Sequence, residues 1–403
     1  MSNSLGTRIL GGTVLIAFGT LLALLLGEGA LRLAGISFPV FEIPDPARGV
    51  ALKPGKEGWY RKEGEALVRI NQHGYRDAER TLAKPPGTLR IAVLGDSFVE
   101  ARQVALADSF VSRLGPALAG CPALGGRPVE VLNFGVPGYA TTEALLTMRQ
   151  DALRFSPDWV LLALYPGNDV GENSKEVTQG GAAQWRMQKP VHVLQPDGRL
   201  VLETFPPQPL WRRALYEGIH HSRLLEVLNE ARKVWEVRKM KQAAGQARDV
   251  FDLGISKDVY AAPADAAWRD AWRITEGLLA AMAREAKAGG ARFAVTTVTM
   301  SEQVHPDPAV RATVEKRLGV PNLFYPEERI AEFGARHGFP VIRLAQPLQD
   351  VAARERVHLH GFKNTVMGHG HWNERGHQAA AEVIAREFCT IVSRPPASGP
   401  GPG

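Results

Sequence analysis

A chain of 403 residues, 45% hydrophobic and 22% charged, has the composition of an ordinary globular protein with room for one large domain or two modest ones. Its 48 basic and 42 acidic residues leave a net charge of +6, scattered without a run that would track a phosphate backbone. No nucleic-acid partner is therefore expected.

Residues 9–26 form an uncharged run of 18, flanked by Arg8 and by Glu28 and Arg32. That length is at the lower edge of a bilayer span and exceeds the apolar core of most cleaved signal peptides. Gly27-Glu28-Gly29 is a poor cleavage site and no cysteine follows to take a lipid. The run is read as a retained anchor in preference to a cleaved signal, with 1–8 as a short tail before it. Lys and Arg are too evenly placed to orient it. The short tail leaves the bulk of the chain to be translocated, which predicts a single pass through the cytoplasmic (inner) membrane with the body outside the cytoplasm.

Residues 38–88 are rich in turn formers and read as a β-rich lead-in, with a strand over 67–71 and a turn at His73-Gly74. Arg76 and Asp77 beyond that turn read as a surface ion pair. From residue 89 strands and helices alternate. Residues 91–95, 129–134 and 159–165 are three apolar strands, each followed by a glycine-bearing turn or, for the first, ending in Gly95. A short helix capped by Asp108 follows the first and breaks at Gly115-Pro116. A helix capped by Thr141 follows the second.

The rhythm then stops over about 175–262, an insertion that includes a helix with Leu224, Leu228, Ala231 and Trp235 on one stripe. It is expected to cover the strand ends. Alternation resumes with a helix over 263–287, a strand at 293–298, a helix at 327–337, a strand at 341–344 and a last helix over 373–391. Residues 393–403 are a Pro/Gly/Ser tail expected to be disordered. The pattern predicts an α/β fold, a three-layer doubly wound parallel sheet of five strands spanning 89–392.

In such a sheet the turns after strands one, two and three open on one edge, where an α/β sheet presents its chemistry. Ser97 supplies a hydroxyl there. Its own N–H, that of Gly135 and the side-chain amide of Asn168 would be donors for an oxyanion, and His371 before the last helix would be the base. The segments GDSF, NFGVPGY, YPGND and HWNERGH resemble the four sequence blocks of the SGNH (GDSL) hydrolase superfamily, in the right order over about 280 residues. The matching positions are Gly95, Asp96 and Ser97; Asn133 and Gly135; Gly167, Asn168 and Asp169; and His371, Asn373 and Gly376. The segment INQHGYRD at 70–77 resembles membrane-anchored bacterial members.

The resemblance implies a flavodoxin-like SGNH fold, Ser97 as nucleophile, Gly135 and Asn168 as oxyanion hole, His371 as general base, and Asp96, Asp169 and Asn373 as supports. It implies no cofactor. The family's orienting aspartate, two or three residues before the histidine, is absent: those positions hold His369 and Gly368. A Ser–His dyad, an orienting backbone carbonyl and a distant carboxylate all remain open. His358, His360, His369, His371 and His377 invite a zinc site, but no carboxylate or cysteine completes the set, so no metal is expected.

Three functions remain in view: an extracytoplasmic serine esterase acting on an ester-bearing small molecule or glycan, an O-acyltransferase of a surface polysaccharide, and a non-catalytic glycan-binding or assembly factor. The order Ser97 before His371 favours the esterase. Cys121 and Cys389, the only cysteines, permit one intramolecular disulfide if the body lies outside the cytoplasm. Two neighbouring helices on one face of the sheet would bring them together at the edge opposite the site.

Overall fold

The computed structural model describes residues 3–179, 189–243 and 257–393. The chain forms two compact units, Met1–Phe41 with Gln208–Gly245, and Glu42–Pro207 with Gln246–Gly403. Of the expected insertion, then, only 208–245 leaves the sheet-bearing unit. The tail at 394–403 lies outside the described residues.

The larger unit is built on a sheet of five parallel strands. Across it they run Val341–Arg343, Arg292–Thr297, Trp159–Leu164, Leu89–Gly95 and Val129–Gly135. The strands Leu89–Gly95 and Trp159–Leu164 are buried along their whole length, which is why they read as apolar runs, broken only by Arg90. Arg90, inside the first strand, is fully buried and bonded to Glu130 and to the carbonyls of Leu82 and Phe155. The order reverses between Leu89–Gly95 and Trp159–Leu164. A sheet of this kind opens its crevice at such a switch point, beyond the carboxyl ends of the strands. Ser97 stands two residues past the end of one of those strands.

Helix Ala266–Ala288, capped by Asp265, buries Trp268, Trp272, Leu278, Leu279 and Met282 as its pattern predicts. The helix after the first strand differs from expectation. It runs through Pro116 to Leu118 and is capped by Ser109, whose hydroxyl accepts from Ser112 N–H. Burial of Leu114 and Leu118 holds the last turn past the proline. This helix packs on the final one, Glu374–Ser393, and just beyond it Cys121 is disulfide-bonded to Cys389 with Cα atoms 5.7 Å apart.

The lead-in forms two antiparallel hairpins, Glu42–Asp45 with Gly49–Leu52 and Glu57–Tyr60 with Ala66–Arg69. Arg76 corrects the expected surface ion pair. It is buried, and its guanidinium donates to the carbonyls of Glu100 (3.0 Å), Ala101 (2.7 Å) and Val104 (2.6 Å).

In the smaller unit the apolar run lies inside a longer helix, Asn3–Leu33, whose stretch Ile9–Leu33 is long and apolar enough to cross a membrane by length and composition. It passes Glu28 and Arg32 and ends at Gly35, whose φ of 66° accommodates the closing turn. The same unit holds the helices Leu210–His221 and Arg223–Ala243.

Candidate active site

Gly95 ends the first strand and Asp96 caps a four-residue helix, Ser97–Glu100, by accepting from Phe98 N–H at 2.9 Å. The cap fixes the turn that brings Ser97 out of the sheet. Ala101 closes this helix in the left-handed conformation, and the three bonds from Arg76 satisfy the carbonyls around it. Ser97 and the segment before the final helix are thereby brought together: His371 Nε2 lies 2.8 Å from Ser97 Oγ. Phe98 packs on the imidazole, with ring centroids 4.8 Å apart.

The group that holds His371 comes from the lead-in. Glu63, between the strands Glu57–Tyr60 and Ala66–Arg69, places Oε2 2.6 Å from His371 Nδ1, and its Oε1 accepts His371 N–H at 2.7 Å. A carboxylate there assigns the ring proton to Nδ1 and leaves Nε2 to accept from the serine hydroxyl. Burial pushes the Glu63 carboxyl up, but the hydrogen bond and charge of His371 outweigh it and hold the group below the usual carboxylate value. Gly370 (φ 84°) makes the approach possible: a Cβ there would stand 2.1 Å from Glu63 Oε1. Asn364 pins the hairpin tip by accepting from Gly64 N–H (2.9 Å) and donating to the carbonyls of Arg61 (3.1 Å) and Gly64 (2.9 Å).

The backbone of Gly135 is engaged differently from expectation. Gly135 N–H is already used, donating to Asn133 Oδ1 at 2.8 Å. The position needs glycine for packing instead, since a Cβ would lie 2.4 Å from Glu100 N and 2.6 Å from Val99 Cβ. Asn168 is half-buried in the first turn of helix Pro166–Glu172, at the end of the strand beside that of Ser97.

The supports sit under these groups. Asp169 Oδ2 accepts Tyr165 N–H at 3.0 Å, which ties the Asn168 helix to the end of its strand. Asp96 and Asp169 are both buried; burial raises the pKa of each, and the nearby charge of Asp96 raises that of Asp169 further. Asn373 donates to the carbonyls of His358 (2.9 Å) and Gly361 (3.2 Å) and accepts Gly376 N–H (3.0 Å), which fixes the start of the final helix.

The remaining histidines are spread over separate structural bonds. His360 reaches Gly370 O (2.7 Å) and Thr299 Oγ1 (3.1 Å), His377 Nδ1 accepts Phe110 N–H (3.3 Å), and His358 lies edge-on to His305. Among the described residues no group of three or more His, Cys, Asp or Glu side chains is placed to hold a metal ion.

No protein-family model and no curated protein matches the chain. Solved structures do. A GDSL-like lipase from Bacteroides thetaiotaomicron is 14% identical at a TM-score of 0.32, over 75% of this chain and 88% of that one. A lipase/acylhydrolase from Enterococcus faecalis is 14% identical at 0.35, over 75% and 96%. An acetylxylan esterase from Geobacillus stearothermophilus is 12% identical at 0.36, over 76% and 96%. Scores this low leave the functional reading to the site itself.

Proposed function

We propose that the chain is a GDSL-type serine ester hydrolase. One observation carries the reading: Ser97 Oγ, His371 and Glu63 stand in a continuous hydrogen-bonded line of 2.8 and 2.6 Å at the switch point of the sheet. Ser97 Oγ attacks the ester carbonyl as His371 Nε2 takes its proton. Glu63 keeps Nδ1 protonated and stabilises the imidazolium that forms. Ser97 N–H and the Asn168 side-chain amide receive the developing oxyanion. The alkoxide leaves with the proton from His371, and water, activated by the same imidazole, releases the acid and restores Ser97.

Glu63 supplies the orienting carboxylate that the usual position lacks, which favours a catalytic over a non-catalytic reading. The Cys121–Cys389 disulfide and the apolar helix support an extracytoplasmic, membrane-anchored enzyme, where esters of surface glycans or small molecules are available substrates. Turnover of p-nitrophenyl acetate by the wild type and its loss in Ser97→Ala tests the reading. Product analysis with a glycan acceptor distinguishes hydrolysis from acyl transfer through the same acyl-enzyme. Activity persisting in Ser97→Ala overturns the assignment.

A further inference from the structure

Within the unit of Met1–Phe41 and Gln208–Gly245 a single carboxylate fixes where two helices lie along the apolar helix. Glu28 stands two residues past the uncharged run 9–26, at the level where a membrane-crossing helix meets the headgroups. Its carboxylate accepts the N–H groups of Arg223 and Leu224, both at 3.0 Å, and the hydroxyl of Ser222 at 2.9 Å. One turn further on, Arg32 donates to Glu28 (2.7 Å) and to His221 O (2.9 Å). The end of helix Leu210–His221 and the start of Arg223–Ala243 are thus seated on the apolar helix at that depth.

Both helices leave large apolar side chains uncovered. On the first, Leu210 is 80%, Trp211 67% and Leu215 47% exposed, while Ile219 and His220 are buried. On the second, the stripe whose spacing marks it for burial stays open, with Leu228 56% and Trp235 60% exposed. Residues 210–243 also carry eight Lys/Arg against four Glu. Exposed Trp and Leu on a basic helix pair tied to the end of a membrane-crossing segment match an anionic lipid surface in both polarity and charge.

We infer that Leu210–His221 and Arg223–Ala243 lie in the headgroup layer of the membrane that the apolar helix crosses, with Trp211, Leu215, Leu228 and Trp235 entering the acyl boundary. This rests on reading 9–26 as a retained anchor. Tethering brings the helices to the surface at high effective concentration, so a weak intrinsic affinity is enough to hold them there.

The test is photolabelling of the full chain in vesicles of phosphatidylcholine and phosphatidylglycerol that contain a phospholipid with a diazirine in its acyl chain, read by peptide mass spectrometry. The expected result is label in 9–26 and in the peptides of Trp211 and Trp235. The double variant Trp211→Lys, Leu215→Lys should lose label from its own helix several-fold, keep it in 9–26 and hydrolyse a soluble ester at the wild-type rate. Label in 9–26 with none in either helix overturns the inference and leaves the anchor standing. Absence of label from 9–26 as well overturns the anchor reading with it. Chemical cross-linking between two copies through the 210–243 segment, with no lipid label there, assigns the exposed stripes to self-association and overturns the inference too.

Discussion

Glu63 Oε2 lies 2.6 Å from His371 Nδ1 although 308 residues separate the two in the chain. In the proposed mechanism the lead-in hairpin is thereby part of the catalytic line, where it orients the imidazole. The prediction is that Glu63→Gln lowers kcat by about 10⁴ with little change in KM, the effect known for losing an orienting carboxylate. Glu63→Asp should recover part of the rate, because it restores the charge on a shorter stem. Steady-state kinetics on a p-nitrophenyl ester measures both, and wild-type kcat in Glu63→Gln would contradict the role.

Gly135 and Asn168 are predicted to behave in opposite ways. Asn168→Ala should keep the fold and lower kcat by about 10²–10³, the usual effect of removing one oxyanion donor. Gly135→Ala should lower the melting temperature, because its Cβ would meet Glu100 N at 2.4 Å and backbone has to move. Thermal melts beside kinetics separate the two. A Gly135→Ala variant that melts like the wild type would contradict the packing role of Gly135.

Much of this architecture is legible in the residues. The strands at 91–95 and 159–164 read out because continuous burial demands continuous apolar sequence. Ser97 and His371 read out because the blocks around them carry local chemistry. Glu63 does not. It sits in RKEGE, which has the look of a solvated turn, and only closure of the chain over hundreds of residues gives it a partner. Asn133 hid the state of Gly135, since an asparagine two residues upstream can bond that backbone itself. Helix Pro308–Leu318 buries no residue and so left no periodicity to read.

His377 makes acid stability a readout of the fold under the site. Burial, then the positive charges of Arg76, His371 and His360, push its pKa down to about 3. The unfolded chain therefore binds a proton that the folded chain refuses, and stability falls as pH drops below about 6.5, by up to about 1.4 kcal/mol per pH unit. Melts of His377→Leu should be flatter between pH 6 and 4 than those of the wild type, roughly the window those two pKa values define. Equal slopes would mean that His377 titrates freely.

The Cys121–Cys389 bridge closes a loop with a sequence separation of 268 and ties the final helix to the segment after helix Phe110–Leu118. Replacing both cysteines by serine is predicted to lower stability by about 2–5 kcal/mol, the range for losing a native disulfide. Activity at low temperature should survive, since neither residue bonds to the Ser97 site. Thiol titration of the unfolded, unreduced protein should find no reactive thiol, and two would contradict the bridge.

The central claim is that His371, held by Glu63, activates Ser97 as a nucleophile. Labelling the purified protein with a fluorophosphonate and mapping the adduct by mass spectrometry tests it most directly. The account predicts one adduct, on Ser97, absent in Ser97→Ala, nearly absent in His371→Ala and much slower to form in Glu63→Gln. An unlabelled Ser97 in folded wild-type protein, or equal labelling rates in wild type and His371→Ala, would contradict it.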